Sequence, residues 1–348
     1  MMQRLLCGRW LYLVLGLVTV FLYARAIPPK LSAPHTTPSA AQTEESLEWW
    51  PKTLDRAALA RLAAQQPPMA MTLTVLSMFA VGMSAGGLML GLWALWTGRI
   101  RAVWRFPSRR IPSWSFGELG RILALTLVIA SLLPFVRLAI AFYRLDVSPD
   151  THLWIPLSML VLDGFVILAI LAFASGKRQH AWKSLGLSSR NLSTALAVGF
   201  RGYLAVFPWI FLLLFLVVHV TRSLGLKPPI EPIQELLFRE RRPGVLGLTV
   251  LLACVIGPIA EELFFRGVVY AAIRQRMSRT AAMLISGATF AFVHANPVGF
   301  LPIMALGCLL ANLYERTGSL ASPLAVHILH NSFLMSLALL VRQLLFLS

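Results

Sequence analysis

Apolar runs of membrane-crossing length alternate with short polar loops along almost the whole chain. A bilayer core takes about 20 apolar residues as a helix. Runs that satisfy or approach this fall at 69–97, 123–142, 153–174, 196–219, 245–277, 280–295, 299–314 and from 320 to the C-terminus. A further run, Trp10 to Ala24, is fifteen residues long, with Arg4 and Arg9 before it. That length and basic start suit a signal-peptide core or an uncleaved signal anchor, so residues 1–26 are read as one or the other. The pattern predicts an all-α, polytopic transmembrane bundle of eight or nine spans. Within 228–243, Ile230, Ile233, Leu236 and Leu237 recur at helical spacing beside charges, which predicts an interfacial amphipathic helix.

The polar stretches organise the chain. Residues 27–68 form an extracytoplasmic linker with Pro28, Pro29, Pro34 and Pro38 in its first half and the pair Trp49-Trp50 at headgroup level. Residues 69–190 hold the N-terminal membrane helices, and 191–348 the part that carries candidate chemistry. Five arginines and no acid occupy the loop between 98 and 110, and Lys177, Arg178, Lys183 and Arg190 mark a second basic loop. Alternation from a cytoplasmic N-terminus puts both inside, together with Arg274, Arg276 and Arg279. Gly82, Gly86, Gly87 and Gly91 supply small-residue steps for close helix packing. In the spans before 191, Arg137 reads as a snorkelling side chain and Asp163 as a partner for Arg137 across two helices.

Composition agrees with membrane embedding. The 348 residues are 57% hydrophobic and 13% charged, where soluble domains average about 45–50% and 25%. The net charge of +17 lies in short loops between apolar runs, a topology signal rather than a nucleic-acid surface. The partners implied are the bilayer and a membrane-associated protein or peptide, with no nucleic acid. Cys7, Cys254 and Cys308 form no disulfide framework or zinc-finger spacing.

Polar residues within the last spans stand out, because an ionisable group at bilayer depth costs at least about 2.5–3.5 kcal/mol. Glu261, Glu262 and Arg266 interrupt an otherwise apolar segment that reads GPIAEELFFRG from Gly257. Glu262 and Arg266, at i,i+4, can pair on one helix face, and Glu261, about 100° away, stays available. His294 follows Phe290 by four residues, and His327 and Asn331 are again i,i+4. Glu261 lies sixteen residues before Met277 and His294 sixteen after Ser278, so a hairpin turning there places both about 24 Å from its tip. His327 comes level if that hairpin overhangs the cytoplasmic surface by about 10 Å, which sets a site nearer that face. Each group has a blander role open to it: His294 as a backbone cap, Asn331 as helix glue. His330, off the face of its neighbours, reads as structural. Two carboxylates, two histidines and an amide at one depth nonetheless suit hydrolysis, by a glutamate general base and donors to an oxyanion. A zinc site with Glu261, His294 and His327 as ligands is the competing chemistry, although HExxH is absent.

EELFFRG, Phe290 to His294 and His327 to Asn331 fit, in order, the EExxxR, FxxxH and HxxxN motifs. Over about 190–348 the chain thereby resembles the CPBP family (CAAX proteases and bacteriocin-processing enzymes, or Abi), which includes the type II CAAX prenyl endopeptidases. The resemblance implies an intramembrane endopeptidase with a helical catalytic core in a bacterial cytoplasmic membrane. By the family's metal-free scheme, Glu261 and His294 activate water, His327 and Asn331 bind the oxyanion, and Glu262, Arg266 and Phe290 support them. No cofactor is expected on that scheme. A metalloprotease-like enzyme with zinc is the alternative chemistry. A non-catalytic scaffold or bacteriocin-immunity protein of the same fold is the alternative function, and a proton-coupled carrier comes third.

Overall fold

Helix starts and stops follow local chemistry at several ends. The structure, a computed structural model, describes residues 64–98, 113–143, 151–175, 192–225 and 232–347. The signal-like segment 1–26, most of the linker and the basic loop positions 99–112 and 176–191 lie outside the described residues. Helix α1 (Pro67–Trp96) opens on proline, whose missing N–H would have had no partner in the first turn. Then come α2 (Phe116–Tyr143), α3 (Thr151–Ser175), α4 (Leu192–Ser223) and the short α5 (Pro232–Arg239). The long α6 (Pro243–Arg274) makes a hairpin with α7 (Arg279–Val293), which Ser278 caps by accepting from the Ala281 N–H at 3.3 Å. Helix α8 (Phe300–Thr317) stops at Gly318, whose φ of 63° gives the left-handed cap that glycine supplies without strain. Helix α9 (Ala321–Leu347) closes the bundle.

The described residues contain no strand, and every span expected after residue 68 is a helix. Six of them, α1, α2, α3, α4, α6 and α9, are long and apolar enough to cross a membrane. The other two are shorter: α7 has 15 residues and α8 has 18, about 22 and 27 Å. The protein is an integral membrane protein, and its outward faces carry large apolar side chains such as Met71, Met78, Leu168, Phe215 and Phe292.

Helix α8 is the centre of the bundle. It joins two buried clusters, one with α2, α3, α6 and α7 through Ala311 and Tyr314, the other with α1, α4 and α9 through Leu306, Leu309, Leu310 and Leu313. Because its C-terminal half is buried from Leu309 to Glu315, the polar groups there must find partners. Glu315, fully buried, accepts from the Tyr270 hydroxyl at 2.6 Å and from Arg274 Nε at 3.2 Å, and Asn312 Oδ1 accepts from Arg279 at 2.8 Å. These bonds clamp the α6–α7 hairpin tip to α8.

Helices α7 and α8 meet through two glycines. A Cβ on Gly287 would stand 2.6 Å from Cys308 Sγ and 3.0 Å from two α8 backbone atoms, and one on Gly307 would stand 2.9 Å from Gly287 Cα. Gly287→Val is therefore expected to push α7 off α8. The cost should be about 1–3 kcal/mol, typical of overpacking, read as a lower thermal midpoint in detergent.

At the other end of the bundle, Glu240 makes a knot. Arg242 Nε and Nη2 donate to its carboxylate at 2.9 and 2.6 Å, His152 of α3 lies at 3.1 Å, and Arg342 of α9 donates to its backbone carbonyl. The amphipathic helix predicted at the interface is the eight-residue α5, and its Leu236 and Leu237 are buried in protein against α3 and α9. Its apolar face was legible; that protein rather than lipid covers it was not. The ion pair expected between Asp163 and Arg137 does not form. Asp163 turns to α6 instead, its buried Oδ2 without a hydrogen-bond partner and 3.7 Å from where a Gly257 Cβ would be.

Candidate active site

Helix α6 is not a regular α-helix. It widens to π-helix at Leu252–Ile256 and again at Glu262–Tyr270. The first widening has a local cause: Pro258 carries no N–H and its ring would strike the carbonyl four residues back in a regular turn. The Gly257 N–H reaches back five residues to Leu252 O, and only glycine fits, since a Cβ there would sit 2.9 Å from that oxygen. With Gly257 bonded to Leu252 and Pro258 without a donor, the Ala253 carbonyl loses its helical partners. Asn331 of α9 fills the gap, its Nδ2 donating to Ala253 O at 2.9 Å. Irregular turns of this kind concentrate at functional sites.

The second widening begins at Glu262, the residue after Glu261. Glu262 and Arg266 are fully buried and joined at 2.8 Å, as their spacing predicted, and Arg266 also donates to Gly307 O of α8 at 3.1 Å. The Arg266 guanidinium lies over the Phe290 ring, 4.5 Å from its centroid. Glu261 differs from its neighbour: about a third of its side chain is exposed, against 1% for Glu262.

His327 stands between the two glutamates. Its Nδ1 is 2.8 Å from Glu262 Oε1 and its Nε2 is 3.5 Å from Glu261 Oε2. Arg266, Glu262, His327 and Glu261 therefore form one chain of contacts from the buried core to the accessible carboxylate. A carboxylate on Nδ1 fixes a histidine's tautomer and ring orientation, so Glu262 positions His327 as well as pairing with Arg266. Sequence reasoning saw the pairing but not this contact, because nothing in helical spacing says which residue of α9 faces Glu262.

His294 joins through Phe290. It caps α7, its Nδ1 is bonded to Phe290 O at 2.7 Å, and its ring stacks edge-on against Phe290 at 4.6 Å. The same Phe290 ring lies 5.6 Å from that of His327. Nδ1 being engaged, Nε2 is the nitrogen left for chemistry. The residue after it, Ala295, has φ 51°, a left-handed conformation that costs an L-residue about 1–2 kcal/mol. No hydrogen bond or ion pair joins His294 to Glu261 among the described residues. His330, off the face of its neighbours His327 and Asn331, is bonded through Nδ1 to the Tyr203 hydroxyl of α4 at 2.9 Å.

The zinc alternative needs three ligands gathered around one point. Among the described residues no three His, Cys, Asp or Glu side chains form such a group. Both nitrogens of His327 already face carboxylates. As they stand, the described residues do not fit a zinc centre.

Comparison with known proteins adds to this geometry. Residues 243–333 match the family described as type II CAAX prenyl endopeptidase Rce1-like. Over 92 residues the chain is 33% identical to "Putative membrane peptidase YdiL" of Bacillus subtilis (strain 168). That stretch is 26% of this chain and 38% of the relative, so the match spans well under half the length of either protein. No solved structure matches the chain.

Proposed function

We propose, from the similarity of residues 243–333 to the type II CAAX prenyl endopeptidase Rce1-like family, that the chain is an intramembrane endopeptidase. The observation that carries the reading is the His327 imidazole held between buried Glu262 and accessible Glu261. Glu261 is the general base. It takes one proton of a water whose oxygen attacks the scissile carbonyl carbon, and it returns that proton to the leaving amine. His294, its Nδ1–H held by Phe290 O, orients the water from the α7 side by donating Nε2–H to the water's oxygen. His327 and Asn331 serve the oxyanion. For His327 this requires the doubly protonated ring, with Nδ1–H held by Glu262 and Nε2–H directed into the site; two flanking carboxylates are its counter-charges. Asn331 uses one N–H on Ala253 O, and its second N–H is the donor. Phe290 holds the two histidines and Arg266 in register.

The substrate is a membrane-associated protein or peptide, of the prenylated CAAX type or a bacteriocin-like peptide, reached from the cytoplasmic half of a bacterial inner membrane. The second reading is a membrane scaffold of the same fold, whose action on a partner would survive Glu261→Gln. Purified protein in detergent is expected to cleave membrane-tethered peptides from a broad library, with its rate unchanged by a strong chelator. Loss of cleavage on chelation, restored by zinc, would replace the metal-free scheme by the zinc one. A protein that cuts nothing across the library would leave the scaffold reading.

A further inference from the structure

A buried carboxylate oxygen without a donor marks a place where a ligand's hydrogen belongs. Asp163 Oδ2 is such an atom. It comes from the middle of α3, a span with no other acidic residue, and it faces α6 at Gly257. Gly257 begins the regular α-helical turn Gly257–Glu261, so Glu261 lies four residues on and on the same face. Helical side chains lean toward the N-terminus of their helix. A side chain at Glu261 therefore leans back toward Gly257, the residue that Asp163 Oδ2 faces, and the Glu261 charge bears on Asp163.

We propose that Asp163 is a further residue of the active site and orients the nucleophilic water together with Glu261. The inference rests on the peptidase reading. A water has two hydrogens, and the carboxylates of Glu261 and Asp163 accept both. Glu261 accepts the hydrogen that is transferred: that O–H bond breaks as the oxygen–carbon bond to the scissile carbonyl forms. Asp163 accepts the other, which stays on oxygen and becomes part of the new carboxyl product. With both hydrogens directed, a lone pair of the water points away from α6, toward the substrate.

The proposal separates from a structural role by the sign of the stability change. A buried carboxylate oxygen without a donor destabilises the fold that holds it. Asp163→Leu is expected to raise the thermal midpoint by a few degrees, as the removal of a polar group kept for function does. The same variant is expected to lower kcat about 10- to 100-fold with KM unchanged, the cost of a misplaced reactant. Asp163→Asn, whose carbonyl still accepts a hydrogen, should fall between wild type and the leucine variant. Glu261→Gln is the control. If it is inactive and Asp163→Leu keeps wild-type kcat, Asp163 is outside the site and the peptidase reading stands. A lower midpoint, with kcat intact per folded molecule, makes Asp163 structural. A wild type that cleaves nothing, or an active Glu261→Gln, removes the glutamate base and this inference with it.

Discussion

Glu261→Gln is expected to lower kcat by about 10²–10⁴-fold, the usual contribution of a positioned general base, while the fold stays intact. Glutamine keeps the volume and an oxygen facing His327 Nε2, which lies 3.5 Å from Glu261 Oε2. It cannot take a proton from water. Because about a third of Glu261 is exposed, the substitution removes no buried charge and should leave the thermal midpoint nearly unchanged. KM should change little, since the lost interaction belongs to the transition state. Peptide cleavage under saturating substrate, beside a melting curve, checks both halves. A variant that cuts at the wild-type rate would move the base elsewhere in the site or end the peptidase reading.

Arg266→Met is expected to have the opposite profile, with stability lost first. It leaves Glu262 buried at 1% exposure beside His327 with its strongest counter-charge gone. Breaking a buried pair from one side costs about 3–5 kcal/mol, and the bond from Arg266 to Gly307 O is lost with it. Removing both partners, in Arg266→Met with Glu262→Leu, should recover most of that stability, because a well-packed apolar pair is often as stable as a buried ionic one. Activity should not return. Without the Glu262 carboxylate, His327 Nδ1 has no partner to fix its ring. The double variant, folded yet inactive, would separate the pair's structural role from its part in catalysis. A double variant as active as wild type would confine Glu262 to structure.

Much of the architecture follows from one-dimensional pattern. Every span expected after residue 68 is a helix where apolar run length puts it, because lipid leaves the backbone no alternative but to satisfy its own hydrogen bonds. The pairing of Glu262 with Arg266, and the availability of Glu261, were also readable from spacing within one helix. The Asp163–Arg137 pairing failed for an instructive reason. Two opposite charges in neighbouring spans are natural partners on paper, but depth and helix rotation decided against them, and neither is encoded in residue type.

The sequence by itself determined that the chain is embedded in the membrane, that its spans are helical, and which polar residues share a helix face. Only the tertiary structure decided which helices face one another. It set His327 between Glu261 and Glu262, tied Asn331 to the Ala253 carbonyl, brought Asp163 to Gly257, and made α8 the centre of two clusters. The physical reason lies in how each contact is fixed. Periodicity is a property of a single helix and survives in its residue order, whereas the partner of a side chain depends on how helices rotate and pack. The π-turns belong to both levels: Gly257 and Pro258 permit the first locally, and Asn331, 74 residues beyond Gly257 in sequence (331 − 257), supplies the hydrogen bond that satisfies it.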